Sequence, residues 1–296
     1  MEARLRSEPE DTEDGSTRVP GGQAGARAVL IGAGDLAQCG LEGVVQTGLL
    51  MDKLLRQESD PTLVTFGDNS NDNGSRQRYE CFDRWWGRFR SSIWPSPGNH
   101  DYETDPASPY YYEYFPHAGT PGRGYYSYDR GSWHIVVLNS ELAEASRPAQ
   151  IVWLETDLRT HPSECTLAYF HRPYLSSGEF AAFRMKRVWD VLYRYGVDVV
   201  ANGHEHFYAA FPPMAPDGTR DGRFGIRQII AGTGGARLFA APVPAYGERI
   251  VSQSWGLLKL TLESDRYAWD FVSVNEAVLD HGEDRCHGRP PAGIAF

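Results

Sequence analysis

Five stretches of this 296-residue chain close an apolar run on an acid, an amide or an imidazole. They are GAGD at Asp35, GDN at Asp68, PGNHD at Asn99, His100 and Asp101, FHRP at His171, and NGHEH at His204 and His206. Two carboxylates, one amide oxygen and three imidazoles make a donor set for borderline divalent or trivalent transition metals rather than for calcium. The first stretch, VLIGAGDLAQCG, also matches the glycine fingerprint of a dinucleotide-binding turn. That fingerprint needs an acid at the end of the second strand, about 20 residues beyond the glycines, to hold a ribose. The residues at that distance, MDKLLRQ, lie inside a predicted helix, and the second strand ends instead on Gly67-Asp68-Asn69. Gly34 and Gly67 therefore read as the sharp exits that turn the next carboxylate inward.

The elements that must position these groups follow from hydrophobic patterning. ARAVLIG, PTLVTFG, SSIWPSPG, SWHIVVLN, CTLAYFH, VDVVANG, IRQIIAG, GLLKLTL and YAWDFVSV read as strands, several of them almost continuously apolar, as in strands covered on both faces. GLEGVVQTGLLMDKLLRQ, QRYECFDRWWGRFR, AQIVWLETDLRT and FAAFRMKRVWDVLYRYG carry helical spacing. Strand and helix alternate through about Gly203, which predicts α/β layers with parallel strands, and strand then follows strand, which predicts an antiparallel edge. The polar clusters fall at the C-terminal ends of strands, where open α/β sheets bind their ligands.

GNHD followed by GHEH, with GD motifs upstream and an isolated His between them, resembles the calcineurin-like metallophosphoesterases, and within them the purple acid phosphatase branch. The motifs of that branch run D, GDxxY, GNH(D/E), an isolated His and GHxH, and the resemblance extends from about Val29 to Tyr208. FHRPYLSSG is similar to its fourth motif. The resemblance implies an α/β fold of two mixed β-sheets packed face to face with flanking helices. It implies two divalent or trivalent transition metal ions (iron, zinc or manganese) and hydrolysis of small-molecule phosphate monoesters or diesters by attack of a metal-bridging hydroxide. By position, Asp35 and His206 would hold one metal, Asn99, His171 and His204 the other, and Asp68 both. His100 would face the substrate and Asp101 would orient it.

The chain departs from the branch at two positions. Asn71 stands where the purple enzymes place a metal-binding Tyr, and Ala37 stands where other members place a His. The first metal thus lacks one ligand, which Asn71, Asp72 or water would supply. An amide or lactone hydrolase and a non-catalytic binder of phosphate ligands stay open as alternatives.

Other residues read as structural. His134 is expected to pack within a strand, Asp198 to cap or pair at the start of one, and His117, His161, His281 and His287 to lie in loops or on the surface. The Tyr-rich run from Tyr102 to Tyr128 reads as core and hairpin first, and as a wall for an aromatic leaving group second. Gly232-Thr233-Gly234-Gly235 suits a loop after a strand or an approach to phosphate. Arg172 reads equally as a phosphate contact or a structural residue.

Composition sets the outer limits. Twenty-nine Lys and Arg stand against 39 Asp and Glu, a net charge of -10, which excludes a general nucleic-acid surface. No stretch approaches the roughly 18 apolar residues of a membrane helix. Residues 1–26 read as a disordered tail, with one metallophosphoesterase domain over 27–296. MEARLRSEPEDTEDGST shows no apolar leader, so the chain as written reads as cytoplasmic, with export as the alternative. Cys39, Cys81, Cys165 and Cys286 form no CxxC pair, and their pairing is left open.

Overall fold

The computed structural model describes residues 27–291, so the tail expected over 1–26 lies outside the described residues. Strands β1 (Ala28–Ala33), β2 (Pro61–Phe66) and β3 (Ile93–Ser96) lie parallel, as do β5 (Trp133–Val137), β6 (Cys165–Tyr169), β7 (Val199–Asn202) and β9 (Ile226–Ala231). Antiparallel strands complete both sheets: β4 (Tyr126–Arg130), β8 (Tyr208–Met214), β10 (Arg249–Val251), β11 (Gly256–Leu262), β12 (Arg266–Ser273) and β13 (Val278–Arg285). One sheet is ordered β13-β12-β11-β1-β2-β3 and the other β10-β8-β9-β7-β6-β5-β4. The architecture is the sandwich of two mixed sheets that the resemblance implies.

Alternation along each strand explains the three layers of core. Leu30 on β1 faces inward with Val64, Phe66, Leu258 and Leu260, and meets Ile135, Val137, Leu167 and Tyr169 of the second sheet. Val29 and Ile31, on the other face of β1, pack under helices α1 (Gly43–Leu55), α2 (Arg76–Trp86) and α3 (Pro109–Tyr114). Helices α4 (Arg147–Thr160) and α5 (Lys186–Arg194) cover the far side of the second sheet through Leu154, Leu158, Trp189 and Leu192. Strands covered on both faces need apolar residues at every position, which is why their sequences show no period of two. In α2, Tyr79, Phe82 and Trp86 recur at helical spacing and are buried, and the Ser75 hydroxyl caps the helix by accepting from Arg78 N.

Four strands escape sequence patterning, each for a physical reason. β4 is the Tyr-rich hairpin partner of β5. β8 carries Pro212 and Pro213, and its pairing with β9 shifts register between Ala210 and Pro213, where proline cannot donate. β10 has three residues. β13, VLDHGEDR, is a charged edge strand that includes His281, so that residue lies in a strand and not in a loop. The cysteines pair as Cys39–Cys81 and Cys165–Cys286. Among the described residues no helix is long and apolar enough to cross a membrane.

Asp198 and the histidines away from the five strand ends make local contacts. Asp198 accepts from Thr166 N at 2.9 Å and His287 N at 2.8 Å, and so closes the start of β7. His117 stacks on Trp94. His134, buried on β5, has Nδ1 2.8 Å from Asp129 Oδ1 and Nε2 2.8 Å from Asp157 Oδ2. His161, at the end of α4, stacks on it. Burial pulls His134 down, but hydrogen bonds to the two carboxylates prevail and push it up to about 9. A histidine raised on folding contributes stability that is complete below its unfolded value of about 6.5 and is lost as pH rises through the folded value. His134→Gln should therefore cost roughly 3 kcal/mol at pH 6, with a deficit that shrinks as pH rises past about 6.5 and is largely gone by about pH 9. Urea unfolding at several pH values checks this, and a deficit independent of pH would exclude the charged pair as its cause.

Candidate metal centre

The two carboxylates and the first GHEH histidine occupy backbone that residues with a Cβ seldom adopt. Asp35 (φ 58°), Asp68 (φ 51°) and His204 (φ 72°) are all left-handed, a conformation costing on the order of 1–3 kcal/mol each that clusters at functional sites. Gly67 is also left-handed, and a Cβ there would meet the His171 ring at 2.5 Å. Gly34 differs from the expected sharp exit. The left-handed turn falls on Asp35 itself, and Gly34 is required because a Cβ would meet Gly203 Cα at 2.8 Å and Phe66 O at 2.9 Å.

These turns aim one oxygen of each carboxylate inward. Asp35 Oδ2 accepts from His204 N at 2.7 Å and Asp68 Oδ1 from His100 N at 2.8 Å. Asp35 Oδ1 is left 3.2 Å from His206 Nε2, and Asp68 Oδ2 is left 3.2 Å from His171 Nε2. Backbone carbonyls fix the imidazoles: His171 Nδ1 donates to Phe66 O at 2.9 Å and His206 Nδ1 to Arg237 O at 2.7 Å. Each ring thus presents Nε2 to the centre, the outer-sphere arrangement that holds metal-binding histidines. His171 Nε2 also lies 3.1 Å from Asn99 Oδ1 and 3.1 Å from His204 Nδ1.

The donors fit a cation. With bonds of about 2.1 Å, neighbouring ligands in a tetrahedral or octahedral site lie about 3.0–3.4 Å apart, which is the spacing found here. One proton on His171 Nε2 cannot serve Asp68, Asn99 and His204 together. The electrostatics point the same way. Burial lowers His171, but Asp68 overrides it and holds the ring well above its usual value. Burial raises Asp68, yet His171 and His100 hold it below the usual carboxylate range. His204 is pulled down to about 2 by burial, His171 and Arg172, so its ring stays neutral.

The remaining residues divide. Asn71 Nδ2 lies 3.4 Å from Asp35 Oδ1 and 3.2 Å from Asp68 Oδ2, between the two carboxylates. Asp72 turns away and accepts from Cys39 N at 2.9 Å. Ala37 is buried, with its backbone engaged by Asn69 and Asn71. His100 is partly exposed, with Nε2 3.9 Å from Asp68 Oδ2. Asp101 does not orient it: on the short 3-10 turn the residue three positions on shares its side, and His100 Nδ1 pairs with Glu103 Oε2 at 2.6 Å. Asp101 is buried on the other side, accepting from Gly98 N, Asn69 N and Nδ2, Ser70 N and Tyr79 Oη.

The Gly232–Gly235 loop offers no phosphate cradle. Gly234 N and Ala236 N donate to Gly34 O and Asp35 O, tying this loop to the first strand end. The Tyr run packs in the core, with Tyr111, Tyr114, Tyr126 and Tyr128 all buried. The aromatic wall beside the centre is made by residues that sequence reasoning missed. Phe239 stacks on His206 at 4.1 Å and Phe180 meets His204 edge-on at 5.2 Å, and both line a cavity of about 660 Å³. Of Glu103, Phe180 and Phe239, the residues beside the centre that sequence reasoning missed, only Glu103 carried a local signal, its spacing from His100.

Residues 26–208 match the sequence model of the calcineurin-like phosphoesterases. Purple acid phosphatase 21 of Arabidopsis thaliana is 30% identical over 201 residues, covering 62% of this chain and 44% of its own length. A 3',5'-cyclic-nucleotide phosphodiesterase of Nostoc sp. is 28% identical over 162 residues, covering 51% of this chain and 58% of its own. The chain thus spans about half the length of these relatives. A purple acid phosphatase from seeds of yellow lupin (Lupinus luteus) superposes with a TM-score of 0.75 at 16% identity, covering 93% of this chain and 58% of that one.

The hydrogen bonds separate Asp101 from His100 experimentally. Asp101→Ala strands five buried donors and should cost roughly 3 kcal/mol in urea unfolding, while His100→Ala, partly exposed, should change stability by about 0.5 kcal/mol or less. Equal costs at the two positions would return Asp101 to a role shared with His100.

Proposed function

Since the chain belongs to the calcineurin-like phosphoesterase family, we propose that its strand ends form a binuclear metal centre hydrolysing phosphate monoesters or diesters. The observation that carries this reading is the convergence on His171 Nε2 of donors that no single proton satisfies. Asp35 and His206 would hold one ion of iron, zinc or manganese, Asn99, His171 and His204 would hold a second, and Asp68 would be shared. When bound, such ions supply Lewis acidity toward phosphoryl oxygens and acidify water.

The protein's own groups complete the site. Phe66 O and Arg237 O keep His171 and His206 in the tautomer that turns a lone pair inward. The Asn71 amide spans the two carboxylates where a tyrosine is missing. His100, steadied by Glu103, presents Nε2 on the open side, placed to donate a proton to the departing ester oxygen. Burial pulls His100 down, but Asp68 and Glu103 raise it above its ordinary value, which favours the protonated, donating form. Phe180 and Phe239 form a wall that excludes water on the side of the larger cavity, where the organic part of a substrate would sit. The two disulfides favour an oxidising compartment, and so the exported alternative.

Turnover of p-nitrophenyl phosphate and of its bis ester, with added manganese, zinc or iron, tests the reaction. Loss on chelation and recovery on metal return are expected. No turnover of either ester under any metal would sink the enzymatic reading and leave a phosphate binder or another hydrolase. His100→Ala should keep its metal content by elemental analysis while kcat falls about 100-fold or more. Unchanged kcat would remove His100 from the chemistry. Lacking a tyrosine oxygen at position 71, the iron-loaded protein should be pale. Asn71→Tyr should add a visible charge-transfer band, and its absence with iron bound would show that position 71 does not face the metal.

A further inference from the structure

A second cavity, of about 290 Å³, opens between the end of β5 and the starts of α4 and α5. Asn139, Ser140, Glu144, Arg147, Arg184 and Arg187 line it. A fourth arginine joins it to the candidate metal centre. Arg172 N donates to Ser140 Oγ at 3.1 Å, its Nε lies 2.9 Å from both carboxylate oxygens of Glu141, and its Nη1 lies 2.7 Å from His204 Nε2. Arg184 Nη2 donates to the same Glu141 carboxylate at 3.0 Å.

The charge count does not close. One carboxylate, Glu141, serves two guanidinium groups. Arg147 spends its Nε on a neutral acceptor, Leu142 O at 3.1 Å. Among the described residues Arg187 has no ion pair. Three guanidinium groups, those of Arg147, Arg184 and Arg187, thus line the cavity with one carboxylate, Glu144, while Glu141 beside it is shared between Arg184 and Arg172, in a chain whose net charge is -10. Burial and the neighbouring Arg172 and Arg147 hold Arg184 below its usual value against the pull of Glu141, the mark of cations crowded without enough counter-charge. Guanidinium forks match pairs of phosphate or carboxylate oxygens, and such charge-assisted bonds are the strong ones.

We propose that this arginine-lined cavity binds a second anionic group of the substrate, so that the esters preferred by the centre are those carrying another phosphate or carboxylate beyond the bond that is cleaved. The link to catalysis rests on the phosphoesterase reading, whereas the anion site itself does not. Arg184, in the 3-10 turn that leads into α5, and Arg187, in the first turn of α5, lie outside the candidate metal ligands and are exposed enough to replace without loss of fold.

Two measurements on the full chain decide the matter. In the first, inorganic phosphate is titrated calorimetrically into protein freed of metal by chelation, where the metal centre cannot answer for the binding. Wild type should bind, Arg184→Ala with Arg187→Ala should bind about ten-fold more weakly or not at all, and Arg184→Lys should keep part of the affinity. Equal binding by wild type and the double variant overturns the site, including the case where neither binds. In the second, the metal-loaded enzymes are compared on fructose 1,6-bisphosphate and fructose 6-phosphate, which differ in one phosphate. Wild type should favour the bisphosphate in kcat/KM by about ten-fold, a margin that falls toward one in the double variant while p-nitrophenyl phosphate turnover stays the same. Phosphate binding lost in the variant with the bisphosphate margin intact assigns the cavity to free phosphate and overturns the substrate role. Phosphate binding as expected with no turnover of any ester, by either protein, supports the anion site and fails the phosphoesterase reading alone.

Discussion

Lone pairs facing lone pairs are the constraint on which the rest of this structure depends. Asp68 Oδ2, Asn99 Oδ1 and His204 Nδ1 all lie within about 3.2 Å of His171 Nε2, which has at most one hydrogen to offer them. Such an arrangement is unfavourable unless positive charge lies among the donors. A fold that brings them together must hold them against that repulsion. It does so by placing each donor two to four residues beyond a buried strand and locking four of them with backbone: Phe66 O on His171, Arg237 O on His206, His204 N on Asp35 and His100 N on Asp68. Side chains fixed by main-chain atoms cannot relax apart.

That demand explains the sandwich. Parallel strands of both sheets end at one edge, so loops after β1, β2 and β3 meet loops after β6 and β7 without long excursions. Phe66, in the middle core, is the hinge of this meeting, since its carbonyl holds His171 of the other sheet. Three left-handed residues at the junction are a local cost, and the long apolar runs of the strands, buried on both faces, offset it. The Gly232–Gly235 loop adds a strap: its amides hold Gly34 and Asp35 in place, so the second sheet clamps the first strand end directly.

The sequence was legible where one residue type is forced by one physical need. Strands covered on both faces must be apolar throughout, and a cluster of donors at strand ends must be built of acid, amide or imidazole, so β1, β2, β3, β6 and β7 and the six residues that meet beyond them could be read from the chain alone. The orientation of His100 could not. Asp101 and Glu103 are both carboxylates near His100 in sequence, and only the pitch of the intervening turn decides that Glu103 reaches the ring while Asp101 is buried among backbone donors. Phe180 and Phe239 reach the centre from two loops far apart in the chain, and no period or spacing connects them. The prolines of β8 and the charges of β13 conceal strands for the opposite reason: edges and bulges tolerate what central strands exclude.

The two positions at which the chain departs from the branch, Ala37 and Asn71, are tied to each other by backbone. The Ala37 N–H donates to Asn69 O and its carbonyl accepts from Asn71 N, so position 37 is part of a short ladder joining the first two strand ends. Its side chain is fully buried. The same ladder carries Asn71 to its place between Asp35 and Asp68. An amide is the one uncharged side chain that can face two carboxylates with its nitrogen or, after a half-turn of its last torsion, face a cation with its oxygen. A tyrosine there would offer oxygen alone. Asn71 therefore lets the two carboxylates stay satisfied whether or not a cation is bound, at the expense of the stronger, anionic ligand that a phenolate would provide.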